Sequence, residues 1–213
     1  MFVKNEMTTN PFTISPDQTI PDAHEIMSKN GIKRLPVMEN GKLVGVVSKE
    51  DIAHASPSMA TSLSVNEITY LLAKTKIRKV MAKNPIVISS NALLEEAATL
   101  MRNNHVAFLP VVDNDKLVGV ITESAIFDSF IELLGFREAG TRLTIEADDA
   151  PGIMSNLTSI IGKFGANITH IAVYRSETGK SDVVIAINSY NTAEIEKTIE
   201  EQGFKIIYKL QNK

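Results

Sequence analysis

The hydrophobic and polar positions in the first half of the chain follow a pattern that occurs twice. Residues 35–52 read LPVMENGKLVGVVSKEDI, and residues 109–126 read LPVVDNDKLVGVITESAI, at a constant offset of 74 residues. The same offset holds upstream, where Met7 matches Met81. A repeat of this length with matching apolar positions indicates a duplicated supersecondary unit, so we expect two copies that pack together.

Each copy reads as strand, helix, strand, strand and helix. In the first copy, apolar residues recur at helical spacing from Ile20 to Met27. Two apolar strands follow, and the turn at residues 39–41 (ENG) between them is typical of a hairpin. Ser48 opens the closing helix of the first copy, and Thr122 opens that of the second. The pattern thus predicts the same order of elements in both copies.

Small residues between the copies, at positions 56–64, predict a linker. Ser64 and Glu67 form a capping-box pair, which predicts that a helix begins after Ser64. The basic segment 74–79 that follows fits either a nucleic-acid patch or a solvated helix end, where cations are favourable. We favour the solvated helix end.

The pattern changes after residues 135–140. Residues 142–147 alternate as in a strand, and apolar residues from Ile153 to Phe164 then share one helical face. The complete order, strand, helix, strand, strand, helix, strand, describes a ferredoxin-like sandwich. The sequence therefore predicts an α+β protein made of repeat 1 (1–56), a linker helix (57–76), repeat 2 (77–134) and a ferredoxin-like domain (141–211).

Composition narrows the classes of function. The chain has 213 residues, a net charge of −3 and no cysteine. This charge gives no general attraction to nucleic acid or anionic membranes, and the missing cysteines exclude disulfides, thiolate catalysis and cysteine metal sites. The sequence offers neither a signal peptide nor 18 consecutive apolar residues, so we expect a cytoplasmic protein without a membrane partner.

Catalytic and metal-binding patterns are not recognisable. The four histidines, which lie in different predicted elements, have no metal-ligand spacing: His24, His54, His105 and His170. No nucleophile has an evident base, and no Walker-type loop is present. We therefore predict no catalytic residue and no metal site.

A candidate binding motif closes the first copy. Gly45 allows the backbone to approach a ligand or a neighbouring strand. Ser48, at a helix start, can present its hydroxyl and backbone N–H groups to an anion such as phosphate, and Asp51 can accept hydrogen bonds from a ribose diol. The same Ser-x-x-Asp pattern is also a simple helix cap, and the motif alone favours the cap.

The doubled pattern of Leu-Pro-Val, Lys-Leu-Val-Gly-Val and Gly-x-x-Ser-x-x-Asp resembles a pair of CBS domains, the Bateman module, over roughly residues 1–130. The resemblance implies that AMP, ADP, ATP or a related adenosine derivative binds in two clefts between the repeats. It implies that Ser48 contacts phosphate or ribose and that Asp51 holds the ribose hydroxyls. Ala125 stands where the second copy would repeat Asp51, so we expect one competent site and one weak or empty site.

The resemblance also implies which residues line the clefts. The Asp51 cleft is expected to be lined by residues of the second copy: Ile88, Val106, Ala107 and Phe108. The Ala125 cleft, in which Thr122 replaces Ser48, is expected to be lined by residues of the first copy: Ile14, Ile32, Lys33 and Arg34. Lys33 and Arg34 can reach phosphates from either cleft, or they are ordinary surface cations.

A second candidate site lies in the C-terminal domain. Asp149 can cap a helix, Gly152 permits a tight bend that points N–H groups at a small carboxylate, and Asn167 can receive an amino group. The Asp-x-Pro-Gly and Gly-x-Asn-Ile motifs, with the order of elements, resemble an ACT domain. That resemblance implies a possible amino acid or small carboxylate ligand held by Asp149, Gly152, Ile153, Asn167 and Ile168, although many such domains have no known ligand.

A CBS pair followed by an ACT domain, at this length, resembles the acetoin utilisation protein B family. The resemblance implies a non-catalytic, homodimeric regulator that senses an adenine nucleotide, uses no cofactor and modulates an unidentified partner in acetoin or acetate metabolism. The alternatives are a ligand-free dimerisation scaffold and a nucleotide-dependent enzyme. A DNA-binding regulator is the least favoured reading, because the chain lacks a recognition helix and a basic surface.

Overall fold

The computed structural model describes residues 1–55, 64–176 and 179–213. The predicted linker therefore lies outside the described residues except for Ser64. The chain divides into two compact units, Met1–Ile126 and Phe127–Lys213. The first unit holds the two copies, and the second holds the ferredoxin-like domain.

The first unit repeats one series of elements. In chain order these are α1 (Val3–Glu6), β1 (Thr8–Thr9), α2 (Ile20–Lys29), β2 (Arg34–Glu39), β3 (Lys42–Ser48), α3 (Lys49–Ala55), α4 (Val65–Lys74), a 3₁₀ turn (Ile77–Lys79), β4 (Ala82–Lys83), α5 (Leu94–Asn104), β5 (Phe108–Asp113), β6 (Lys116–Thr122) and α6 (Glu123–Leu133). Helix α6 begins in the first unit and ends in the second.

The two copies exchange their first strands. Strand β1, from the first copy, pairs antiparallel with β6 of the second, in the order β1-β6-β5. Strand β4, from the second copy, pairs in the same way with β3 of the first, in the order β2-β3-β4. Each three-stranded sheet therefore contains residues from both copies, although its other two strands form the predicted hairpin.

Glycine is required where the exchanged strands meet their partners. A Cβ atom at Gly45 would lie 2.8 Å from the carbonyl oxygen of Ala82 in β4. A Cβ atom at Gly119 would lie 3.0 Å from the carbonyl oxygen of Thr8 in β1. The first distance is too short for a Cβ atom and the second is unusually tight, so Gly45 serves the approach of a neighbouring strand.

Alternating residues of the hairpin strands supply the core of each copy. Leu35, Val37 and Val47 of the first copy are fully buried, and Ala23 and Met27 of α2 pack in the same cluster. The second copy buries the residues at the same offset, among them Leu109, Val111, Ile121, Ala97 and Met101. The apolar residues selected by the helical and strand periodicities of the sequence therefore lie in this core.

The helix predicted after Ser64 is present as α4. Ser64 N donates to Glu67 Oε2 at 2.8 Å, and Glu67 N donates to Ser64 Oγ at 3.3 Å. These two bonds form the predicted capping box. Basic residues after α4 pair with carboxylates of the first copy, because Arg78 Nη2 lies 2.6 Å from Glu39 Oε1 and 3.4 Å from Asp17 Oδ1. These ion pairs support the reading of a solvated surface over a nucleic-acid patch.

The second unit has the predicted order of elements. They are β7 (Gly140–Asp148), α7 (Ile153–Lys163), β8 (Ile168–Arg175), β9 (Lys180–Ile187), α8 (Ala193–Glu201) and β10 (Lys205–Asn212). The strands form one antiparallel sheet in the order β10-β7-β9-β8. Apolar residues of α7 and α8, such as Leu157, Ile161 and Ile195, pack with Ile145 and Ile185 of the sheet. This is the predicted ferredoxin-like sandwich.

Candidate functional site

Ser48 and Asp51 are joined by three hydrogen bonds where β3 ends and α3 begins. Ser48 N and Ser48 Oγ donate to Asp51 Oδ2 at 2.8 and 2.6 Å, and Asp51 N donates to Ser48 Oγ at 3.0 Å. The helix-cap reading of this motif is therefore correct as a description of local structure. A carboxylate has about four acceptor positions, so a cap leaves acceptor capacity for a ligand.

Ser48 and Asp51 also line a cavity of about 320 Å³, which we call the Asp51 cavity. Its opposite wall comes from the second copy and includes His105, Val106, Ala107 and Phe108. The volume lies at the lower end of the range that holds small ligands. The cavity thus combines an apolar wall with a serine hydroxyl and a carboxylate.

A second cavity, of about 700 Å³, lies at the position related by the repeat, and we call it the Thr122 cavity. Thr122 occupies the place of Ser48, and Ile32, Lys33 and Arg34 of the first copy form part of the wall. The exchange of strands brings these segments together, because each sheet is completed by the other copy. Each cavity is therefore built from both copies.

The structure places Ile14 and Ile88 in the core and not on the cavity walls. Their side chains are 2% and 8% exposed, and their backbones bridge to Val37 and Val111. The cavities are lined instead by the apolar residues two positions earlier, Phe12 in the Thr122 cavity and Ile86 in the Asp51 cavity. Both members of each pair are apolar, so apolarity alone could not choose between them.

Arg34 lines both cavities, whereas Lys33 lines the Thr122 cavity. Arg34 Nη2 lies 4.0 Å from Glu50 Oε2, and Glu50 also lines the Thr122 cavity. A hydrogen bond from the Glu50 backbone N–H lowers the pKa of the Glu50 carboxyl, partial burial opposes this, and Arg34, the Ser48 hydroxyl and Lys33 lower the pKa further. Glu50 therefore stays ionised near neutral pH and holds positive charge close to it.

Family models match the parts of the chain that form this architecture. The CBS domain model matches residues 3–58 and 77–132, which together make more than half of the chain, and the ACT domain model matches residues 141–204. The chain belongs to the CBS-domain family and carries an ACT domain. The predicted tandem CBS pair and ACT domain are thus confirmed, and both module types are regulatory.

Three solved structures are similar to this chain. A Vibrio cholerae protein provisionally assigned as an acetoin utilization protein (AcuB) is 32% identical, with a TM-score of 0.54 over 65% of this chain and 96% of that one. CBSX2 from Arabidopsis thaliana, solved with AMP, is 30% identical, with a TM-score of 0.53 over 62% and 97%. The CBS domain pair of MJ0100, solved with 5′-methylthioadenosine and S-adenosyl-L-methionine, is 27% identical, with a TM-score of 0.51 over 61% and 95%.

The two repeats of the CBS pair differ at the helix start beside each cavity. Ala125 N donates to Thr122 Oγ1 at 3.2 Å, as Asp51 N does to Ser48 Oγ. Ala125 has no carboxylate with which to complete the box or to accept a ribose hydroxyl. The larger of the two cavities therefore lacks the acceptor that Asp51 supplies in the smaller one.

In the ACT domain, Asp149 does not cap α7. The helix begins after Gly152, which has φ of 89° and no side-chain cap bond. Asp149 Oδ2 instead accepts from Arg175 Nε at 3.1 Å. Sequence reasoning missed this pair because the separation of 26 residues shows no local pattern.

The residues proposed for an ACT ligand lie at both ends of the domain: Asp149, Gly152 and Ile153 follow the end of β7 that pairs with the start of β9, whereas Asn167 and Ile168 lie where β8 pairs with the end of β9. Asn167 N donates to Asn188 Oδ1 at 3.0 Å, and the Asn167 side chain is exposed. Ile153 and Ile168 are half-buried against the core. The structure thus groups Asp149, Gly152 and Ile153 but does not bring Asn167 and Ile168 to them.

Within residues 1–55, 64–176 and 179–213, no group of three or more His, Asp or Glu side chains could hold a metal ion. No helix in those ranges combines the length and apolarity needed to cross a membrane.

Proposed function

We propose that this protein is a non-catalytic regulator that senses an adenine nucleotide through its CBS pair and modulates a metabolic partner in acetoin or acetate utilisation. The observation that carries the proposal is the placement of Ser48 and Asp51, from one repeat, opposite Val106, Ala107 and Phe108 of the other in one cavity. The AMP complex of CBSX2 and the S-adenosyl-L-methionine complex of MJ0100 support the ligand class.

The chemistry of the Asp51 cavity suits a nucleoside monophosphate. The Asp51 carboxylate can accept hydrogen bonds from a ribose diol while Oδ2 continues to cap α3. The apolar wall that includes Val106 can cover the adenine ring, and the Arg34 guanidinium can bind the phosphate through two parallel bonds. Each part of the nucleotide thus has a chemically matched partner.

Calorimetric titration with AMP and ATP tests the proposal. We expect wild-type protein to bind at least one of them and Asp51→Asn to weaken that binding about tenfold to a hundredfold, because a charge-assisted contact is worth about 1.5–3 kcal/mol. Absence of binding to wild-type protein, or unchanged affinity in Asp51→Asn, would contradict a nucleotide site at Asp51.

Asp22→Asn is the matched control for loss of the cap. Thr19 N and Oγ1 donate to Asp22 Oδ2 at 2.8 and 2.7 Å, which is the arrangement of Ser48 and Asp51 at a different helix. The two substitutions are expected to lower stability to a similar extent, about 1 kcal/mol. Only Asp51→Asn is expected to weaken nucleotide binding.

A ligand-free scaffold is the second candidate, and one observation favours it. The three bonds between Ser48 and Asp51 account for both side chains as a cap without any ligand. Native mass spectrometry of freshly purified protein separates the candidates, because it reports bound nucleotide and oligomer mass together. We expect a homodimer that retains an adenine nucleotide, and a dimer that neither retains nor binds nucleotide would favour the scaffold.

For the ACT domain we propose an amino acid or a small carboxylate as a further ligand, near Gly152. The positive φ of Gly152 at the start of α7 directs the chain into the helix at an exposed edge, where backbone N–H groups can meet a carboxylate. Equilibrium dialysis against a panel of amino acids tests this. Uniform absence of binding would leave the domain with a dimerising role.

A further inference from the structure

The two cavities of the CBS pair share part of one wall. Three residues line both of them, namely Arg34, Ala107 and Phe108. Arg34 and Phe108 occupy equivalent positions in the two copies, separated by the repeat offset. The first copy therefore contributes a guanidinium to the shared wall. The second copy contributes the phenyl ring of Phe108 at the equivalent position, so the wall has one arginine and not two.

Because Arg34 lines both cavities, a ligand in the Asp51 cavity and a ligand in the Thr122 cavity compete for its charge. A guanidinium forms its strongest contact with a single phosphate through a bidentate pair of hydrogen bonds. The Arg34 side chain is 30% exposed, and its guanidinium already lies 4.0 Å from Glu50 in the Thr122 cavity. A phosphate in the Asp51 cavity must therefore draw this cation away from Glu50 and from any anion in the neighbouring cavity.

We infer that Arg34 couples the two cavities negatively for anionic adenosine ligands. This inference rests on the proposed nucleotide-sensing function. A phosphate that binds Arg34 from one cavity leaves the other with less positive charge. Coupling between binding sites is reciprocal, so either cavity weakens the other by the same factor.

Titrations with AMP and with adenosine test the coupling, since adenosine lacks the phosphate. Ala125→Asp is used as the background because it gives both cavities the same ribose acceptor and reduces their intrinsic difference. We expect the second AMP to bind at least about fivefold more weakly than the first, beyond the statistical factor, whereas the two adenosine steps should differ less.

Substitutions at Arg34 and at the neighbouring Lys33 show which of the two cations is responsible for the coupling. Arg34→Gln in the same background should weaken AMP and bring its two steps as close together as those of adenosine. Lys33→Gln is the matched control, because Lys33 lines only the Thr122 cavity of the two. It should weaken AMP in that cavity and leave the coupling in place. Unchanged thermal unfolding establishes that both variants are folded.

The outcomes separate the coupling from the proposed function. If AMP and adenosine bind at two independent sites, at one site only, or more tightly at the second step, the coupling is overturned while nucleotide sensing stands. Retention of the AMP-specific difference in Arg34→Gln also overturns the role of Arg34. If neither ligand binds to wild-type protein or to Ala125→Asp, the proposed function and the coupling fail together.

Discussion

Asp51 combines a structural and a proposed ligand-binding role in one side chain. Its Oδ2 atom receives two hydrogen bonds from Ser48, and the same residue lines the Asp51 cavity. A cap and a ribose site need the same residue types at the same spacing, so the sequence of one repeat could not separate them. The second copy adds information because Ala125 keeps the backbone bond to Thr122 and loses the carboxylate.

Ala125→Asp should give α6 the capping box that α3 already has. The new carboxylate can accept from Thr122 N and complete a capping box at α6, which stabilises the first unit by about 1 kcal/mol. It also supplies a ribose acceptor in the Thr122 cavity, and we expect AMP affinity there to rise about tenfold. Chemical denaturation and calorimetric titration measure the two effects.

Ser124→Asp provides the matched control for the added charge. Ser124 is exposed and lines the same cavity, but it lies one position before the capping position. It should give neither the stabilisation nor the gain in affinity. Equal gains from the two substitutions would mean that charge, and not the capping position, is responsible.

At the scale of elements, the segment after α6 is fixed to the ACT sheet by close packing. Gly135 has φ of 63°, and a Cβ atom there would lie 2.5 Å from His170 Nδ1 in β8. Asn212 Nδ2, near the end of β10, donates to the carbonyl oxygen of Phe136 at 2.6 Å. These contacts, all inside the second unit, hold the chain that leads into β7.

Gly135→Ala should destabilise the second unit by about 1–3 kcal/mol, because it adds both backbone strain and a clash with the His170 ring. Gly162→Ala is the opposite case, since Gly162 lies inside α7 and an added Cβ meets nothing within 4 Å. That substitution should stabilise by about 0.5–1 kcal/mol. Thermal unfolding measures whether each variant gains or loses stability. Destabilisation by Gly162→Ala would show that the helix does not tolerate the methyl group.

The elements predicted correctly are those whose signals are local. Helical spacing from Ile20 to Met27, the Ser64 capping box and the hairpin at residues 39–41 each depend on neighbours in sequence. A first strand is predicted in each copy, but the positions and partners of β1 and β4 could not be predicted, because two residues carry no periodicity and their pairing depends on the other copy. The cavity positions of Phe12 and Ile86, in place of the predicted Ile14 and Ile88, could not be predicted because all four residues are apolar.

At the scale of the whole molecule, several carboxylates make stability depend on pH. Their pKa values are lowered in the folded protein, chiefly by hydrogen bonds, at Asp22, Glu50, Glu67, Asp113 and Glu196. A carboxylate whose pKa is lowered in the folded state stabilises the protein at pH values above its unfolded pKa, which is about 4.3 for Glu. This contribution is lost as the pH falls through the folded pKa. The protein should therefore lose stability progressively below about pH 4–5.

Glu196 in the ACT domain tests this dependence at one site. Burial raises the pKa of Glu196, but hydrogen bonds from Lys209 and Thr192 outweigh it and lower the pKa overall. Glu196→Gln should cost on the order of 1 kcal/mol at pH 7 and progressively less as the pH falls below about 4. Glu194→Gln, an exposed position on the same helix, is the control. A cost independent of pH would show that the charge of Glu196 does not contribute.

The exchange of first strands has a consequence for how the two repeats depend on each other. A lone first repeat would carry β1, which pairs in the sheet of the second repeat, and would lack β4, which pairs in its own. Two separate polypeptides, residues 1–60 and 61–134, should therefore complement each other in a mixture and restore one folded unit by exchanging those strands. The repeats are halves of a reciprocal assembly, and the peptide bond between them serves to raise their effective concentration.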